Sequence, residues 1–276
     1  MNHSLTFSRS TVSAAVAAAF VAAASGNAVA AGAVTVQGWD NGLGVAPSIG
    51  AGESLSVVKS MLESSYSDNP GLHFSAWGHT GAWYTFELAA AADTKVRLAP
   101  ETAGVDFKPG LTVWASGSEQ FDGGDSSPSV SENSDSVWSS PDTFNAVDPI
   151  GSRGTAWMSV GSGGLKETLA YGVSGESQLS PTTGWDEDIL QGIHDVSVTN
   201  LYEQGVTGSM GGNWVELSFS QLQPGWYAIY AGGTDHNLTS QNMLLTVSAV
   251  PEPQTWAMLT AGLLLVPLLR RKRVKR

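Results

Sequence analysis

The chain has 276 residues, with 13 Lys and Arg against 25 Asp and Glu, 10 Trp and no Cys. With 42% of residues hydrophobic it can build a sizeable core, so global disorder is excluded. The formal charge of −12 argues against a nucleic-acid partner, which needs clustered Lys and Arg. The absence of Cys removes disulfides, thiolate nucleophiles and cysteine metal sites.

The charge is uneven along the chain. Residues 1–30 hold Arg9 and no acid, and residues 250–276 hold six basic residues and Glu252, so the body between is strongly acidic. The first 30 residues read as a secretory signal. Arg9 lies in a short polar region, Thr11 to Ala24 forms an apolar stretch too short to span a bilayer, and Ala28-Val29-Ala30 supplies the cleavage pattern. The expected mature N-terminus is Ala31.

The body, 31–249, alternates in the manner of strands. Trp83-Tyr84-Thr85-Phe86-Glu87-Leu88 places Trp83, Thr85 and Glu87 on one face and Tyr84, Phe86 and Leu88 on the other. Similar runs are Lys95–Leu98, Leu111–Ala115, Val196–Leu201, Trp214–Phe219, Gly225–Tyr230 and Met243–Val247. Pro109-Gly110, Pro224-Gly225 and Gly232-Gly233 punctuate them. One short helix is predicted near Ser54–Ser64. The expected fold is all-β, an antiparallel β-sandwich or jelly roll. Gly117–Ser140, dominated by Gly, Ser, Asp and Glu, is expected to be a long exposed loop. It opens an irregular insertion over 117–192, in which Trp157, Met158, Leu165, Leu169, Tyr171 and Trp185 suggest packed segments. One sandwich is the first reading and two small domains the second.

At the C-terminus, Val250-Pro251-Glu252-Pro253 precedes an apolar stretch, Trp256 to Leu269, and then Arg270-Arg271-Lys272-Arg273. As a helix, Thr255 to Leu269 would span about 22 Å, short of the roughly 30 Å hydrocarbon core. The basic end favours the cytoplasmic side. This order of Pro251, Glu252 and Pro253, a short helix and Arg270 and Arg271 resembles the PEP-CTERM sorting signal. The resemblance implies export by Sec machinery, a transient inner-membrane anchor, processing by an exosortase, and a final place at the cell surface or in the extracellular polysaccharide matrix of a Gram-negative bacterium.

Two stretches resemble the bacterial pre-peptidase C-terminal β-domains, a family of non-catalytic sandwiches. They are Trp83–Leu88, leading through Lys95–Leu98 to Pro109–Trp114, and Leu222-Gln223-Pro224-Gly225-Trp226-Tyr227-Ala228-Ile229-Tyr230. The long insertion departs from that pattern.

Catalytic motifs are mostly missing: there is no G-x-S-x-G, H-E-x-x-H, phosphate loop or G-x-G-x-x-G. No catalytic residue is assigned. A secreted hydrolase, using the serines with His194-Asp195 or the near-elbow Gly172-Val173-Ser174-Gly175, is a third option. Asp186-Glu187-Asp188 and Asp122-Gly123-Gly124-Asp125 offer oxygens that Ca²⁺ takes, but neither follows the twelve-residue loop spacing. His73 and His79 lie six apart, about 20 Å on an extended strand, so one metal would require a turn near Gly78. Trp77-Gly78-His79 resembles the Trp-x-His copper(I) site of the methanotroph MopE/CorA-type surface proteins. That match implies Trp77 and His79 as ligands, with a second His unassigned. The primary expectation is a structural or binding protein without a cofactor. A copper(I)-binding surface protein is the alternative.

Nine Trp lie in the body. Core packing is the first reading for them, and stacking on carbohydrate is the alternative for those left exposed.

Overall fold

Alternating short strands bury one face each, and the chain resolves that demand by folding into two stacked sheets. The computed structural model describes residues 34–40, 47–61, 66, 81–123, 162–177, 179, 189–235 and 237–250. The strands are β1 (Ser48–Ile49), β2 (Ser54–Met61), β3 (Ala82–Leu88), β4 (Ala92–Pro100), β5 (Pro109–Gly117) and β6 (Glu167–Val173). They continue with β7 (Gly192–Asp195), β8 (Val206–Gly211), β9 (Trp214–Leu222), β10 (Gly225–Gly233) and β11 (Gln241–Val250).

One sheet has six strands in the order β1-β3-β10-β5-β6-β7, and the other has five in the order β2-β11-β4-β9-β8. All pairings are antiparallel except β1 with β3. The expected β-sandwich is therefore the fold. Of the runs that carried the resemblance to the pre-peptidase C-terminal domains, those in β3, β5 and β10 lie in the six-stranded sheet and Lys95–Leu98, in β4, lies in the other.

Between the sheets lies the main core. Tyr84, Phe86 and Leu88 of β3, Leu111 and Val113 of β5, and Tyr227 and Ile229 of β10 meet Val96, Leu98, Val215, Leu217, Leu245 and Val247 from the other sheet. Gly172 of β6 permits this closeness, since a Cβ there would clash with Val215 and touch Ile193.

A second core covers the outer face of the six-stranded sheet. Trp83, Trp114 and Tyr230 project there and are buried by Tyr66, Phe121, Leu165 and Ile189, with Val34 and Val36 at the margin. The Trp83 and Trp114 rings stack at 5.2 Å between centroids, and Tyr230 lies 4.9 Å from Trp83. An antiparallel sheet commonly leaves one face wet. Here scattered single residues from outside the strands close it, and β5 and β6 are buried on both faces.

Four expectations change. Ser54–Met61 is a strand, not a helix: Leu55, Val57 and Met61 are buried, Ser54, Ser56 and Ser60 exposed, and the whole run pairs with β11. Val196–Leu201 is not a strand, for a reason given below. The stretch 117–192 is not irregular throughout, because it contributes β6, which sits between β5 and β7. Phe121 at the start of the expected exposed loop is buried in the second core, while 124–140 lie outside the described residues.

Candidate functional site

The residues singled out for sorting and metal binding fall outside the described residues. These are Ala28 and Ala30, His73, Trp77 and His79, and Pro251, Glu252, Pro253, Arg270 and Arg271. What the fold shows is where their flanking strands lie. The chain enters β3 beside Tyr230 of β10: Gly81, one residue before the paired run, donates its N–H to Tyr230 Oη at 3.1 Å, and a Cβ on Gly81 would strike that ring. At the other end, β11 runs to Val250 between β2 and β4, in the interior of the five-stranded sheet.

The described tryptophans divide cleanly. Trp39, Trp83 and Trp114 are buried, and Trp39 Nε1 donates to the Thr85 carbonyl at 2.8 Å. Trp214 is partly exposed on the outer face of the five-stranded sheet, but Arg97 lies over its ring at 4.2 Å and its edge rests on Gly211. Arg97 and Lys95 in turn pair with Glu216 at 3.5 and 2.8 Å. Trp226 is the partly exposed tryptophan left on the six-stranded sheet. It stands opposite Glu87 across the β3–β10 ladder, near Thr85, whose hydroxyl accepts from Gln120 Nε2 at 2.8 Å. An aromatic face with polar neighbours is the arrangement that stacks on a sugar ring.

His194 and Asp195 do not orient one another. On β7 they point to opposite sides; the His194 ring stacks on Tyr171 at 4.5 Å, while Asp195 accepts from Ser197 N at 3.1 Å and Val206 N at 3.2 Å. Ser174 is buried just past the end of β6. Among the described residues no group of three or more His, Asp or Glu is placed to hold a metal ion. Nor, among them, is any helix long and apolar enough to cross a membrane.

Sequence reasoning missed one cluster of buried acids. Glu167 at the start of β6 is buried, and its carboxylate gathers the segment that follows β7. Oε1 accepts from Ser197 Oγ at 3.0 Å, Val198 N at 2.6 Å and Thr199 N at 2.8 Å, and Oε2 accepts from Thr199 Oγ1. Those amide bonds are the ones a strand would need, so 196–201 turns instead. Asn200 takes a positive φ of 50°, a conformation Asn tolerates better than most residues. Glu203, 1% exposed, is held in the same segment. Burial, and after it the Asp195 and Glu167 charges, push its carboxyl above the ordinary range, opposed by the Ser197 hydroxyl. Nothing in the local sequence, Leu201-Tyr202-Glu203-Gln204, separates this acid from an exposed one.

No family model matches the chain, and no curated protein does. Among solved structures, CorA of Methylomicrobium album BG8 is similar over 74% of this chain and 100% of its own, at 14% identity and a TM-score of 0.39. CorA is described as a surface-associated copper-binding protein important in copper acquisition. MopE, a secreted protein of Methylococcus capsulatus in which an oxidized tryptophan facilitates copper binding, is similar over 79% of this chain and 92% of its own. The identity there is 12% and the TM-score 0.37. These two are of the type that Trp77-Gly78-His79 resembles.

Proposed function

We propose that the chain is an exported β-sandwich, sorted through its C-terminal tail and displayed at the cell surface or in the extracellular polysaccharide matrix, where it has a structural or binding role. The observation that carries the reading is the position of Val250. The last strand is an interior one, its Ala249 closes the main core, and the Pro251-Glu252-Pro253 motif begins at the very next residue. Proline cannot donate to an interior ladder, so β11 cannot run on through the motif with its pairing intact. That supports reading the residues beyond Val250 as an address and not as a further length of β11. Trp226 with Glu87 and Gln120 is the patch we assign to ligand contact, with carbohydrate as the ligand class.

A chain ending at Val250 should therefore fold like the full body and change only its location. Fractionation with an antibody to the body should find it in the medium, with the melting temperature of the mature protein. Misfolding of that truncation, or retention at the membrane, would contradict the reading.

Copper is the second reading, and the Trp77-Gly78-His79 motif favours it. In that reading Trp77 and His79 are ligands at the approach to β3. Metal analysis of protein purified after copper(I) loading should then give bound copper that is lost in His79→Ala. Equal copper in wild type and variant would remove these residues as the site.

A further inference from the structure

The segment 196–205 is the crossover from β7, at the edge of one sheet, to β8, at the edge of the other. It carries two exposed apolar side chains, Val198 at 63% and Leu201 at 69%, over a floor of carboxylates in which Glu167 and Glu203 are buried and Asp195 is exposed. The donors on that floor are unequally shared. Glu167 receives four and Asp195 two. Neither oxygen of Glu203 meets a donor among the described residues. The Ser197 hydroxyl beside it has one proton, and that proton is directed to Glu167 Oε1.

Around Glu203 the titratable groups are Glu167 on β6, Asp195 on β7, Tyr202 in the segment itself and Tyr227 on β10. Tyr227 Oη gives its proton to the Gln223 carbonyl at 2.6 Å, so it does not serve Glu203 either. Lys166, beside Glu167 in the chain, is exposed, and no cation is among the groups acting on Glu203. A buried carboxylate without donors or a counter-charge costs far more than its neutral acid. A chelated cation is the other way to relieve it. The oxygens of Glu167 and Asp195 are already engaged by N–H and O–H groups, and no three-acid cluster of ligating geometry forms among the described residues.

We infer that Glu203 is kept as a neutral carboxylic acid in the folded protein and latches the inter-sheet crossover 196–205, which loosens as rising pH removes that proton. The sign follows from linkage. Because burial raises the folded-state value above the ordinary 4.5, the folded protein binds the extra proton between the two values. The latch's contribution is complete below the unfolded value and is lost as pH rises through the folded one.

The experiment compares wild type with Glu203→Gln, which keeps the shape and neutrality of the acid, by thermal unfolding from about pH 5 to about pH 9. Amide exchange of 196–205 is followed alongside, each point with and without millimolar calcium. The two proteins should melt together at the acid end. Towards the alkaline end wild type should fall below Glu203→Gln. Exchange of its 196–205 amides, taken relative to that of β10, should rise by up to about tenfold for each pH unit between the unfolded and the folded value and then level off. Calcium should change neither protein. A gap between the two that does not vary with pH would overturn the inference. So would calcium restoring wild type alone, which would make the site a cation site. If Glu203→Gln fails to fold at any pH, the charged form is required and the inference fails. Wild type supplies an independent check: if exchange at 196–205 keeps a constant ratio to that of β10 across the range, there is no latch.

Discussion

Trp114→Ala should lower the unfolding free energy by about 3–5 kcal/mol, although Trp114 lies on the outer face of its sheet. Its indole is buried and stacked on Trp83, with Phe121 and Tyr230 completing the cluster around Trp83. Truncation leaves a cavity beneath segments that cannot readily collapse into it, because they are tied to one another and to β3. Val34 N–H bonds the Gly123 carbonyl at 2.8 Å and Gln37 N–H the Trp83 carbonyl at 2.7 Å. In a body of this size the loss corresponds to a melting temperature lower by roughly 10 °C. Leu201→Ala, at an exposed position, should change stability by less than about 0.5 kcal/mol. Denaturant unfolding of the two variants measures both. A Trp114 variant as stable as the Leu201 variant would mean that the outer face of the six-stranded sheet is open to water.

Glu167→Ala should cost about 2–4 kcal/mol for a different reason. The carboxylate is the shared acceptor for two backbone amides and two hydroxyls of 196–201. Removing it strands those donors in a part-buried site and frees the segment. Glu167→Gln should fall between wild type and alanine, since one carbonyl oxygen remains to accept. Denaturant unfolding of the three proteins gives the order, and proteolysis should cut the alanine variant first within 196–205. Equal stability for Glu167→Ala and wild type would show that water replaces the carboxylate without loss.

Strands β3, β4, β5, β9, β10 and β11 were legible because each alternates apolar and polar residues or is bounded by Pro-Gly turns. The misreadings have physical causes. Ser54–Met61 carries Leu55, Val58 and Met61 at helical spacing as well as Leu55, Val57 and Met61 at strand spacing, and pairing along the whole of β11 decides between them. β6 was missed because both its faces are buried, which erases alternation. Val196–Leu201 has β-branched residues at strand spacing, but a carboxylate about thirty residues earlier takes its amides, a contact no local pattern encodes. The second core is assembled from residues such as Val36, Tyr66, Phe121 and Ile189, each an isolated apolar position in its own segment. Glu203 is legible only once Glu167 and Asp195 are placed beside it.

The central claim, that this sandwich is cargo for its own C-terminal address, is tested most directly by replacing Pro251, Glu252 and Pro253 together with alanine and following the protein by fractionation. Ala249 is the last core residue among the described ones, and the three replaced positions lie beyond it, so the replacement should leave the packing of the two sheets unchanged. Wild type should be processed and recovered at the surface or in the extracellular matrix. The triple replacement should fold equally well and remain unprocessed in the inner membrane. If it is processed and distributed like wild type, the three residues are only a linker and the sorting account is contradicted.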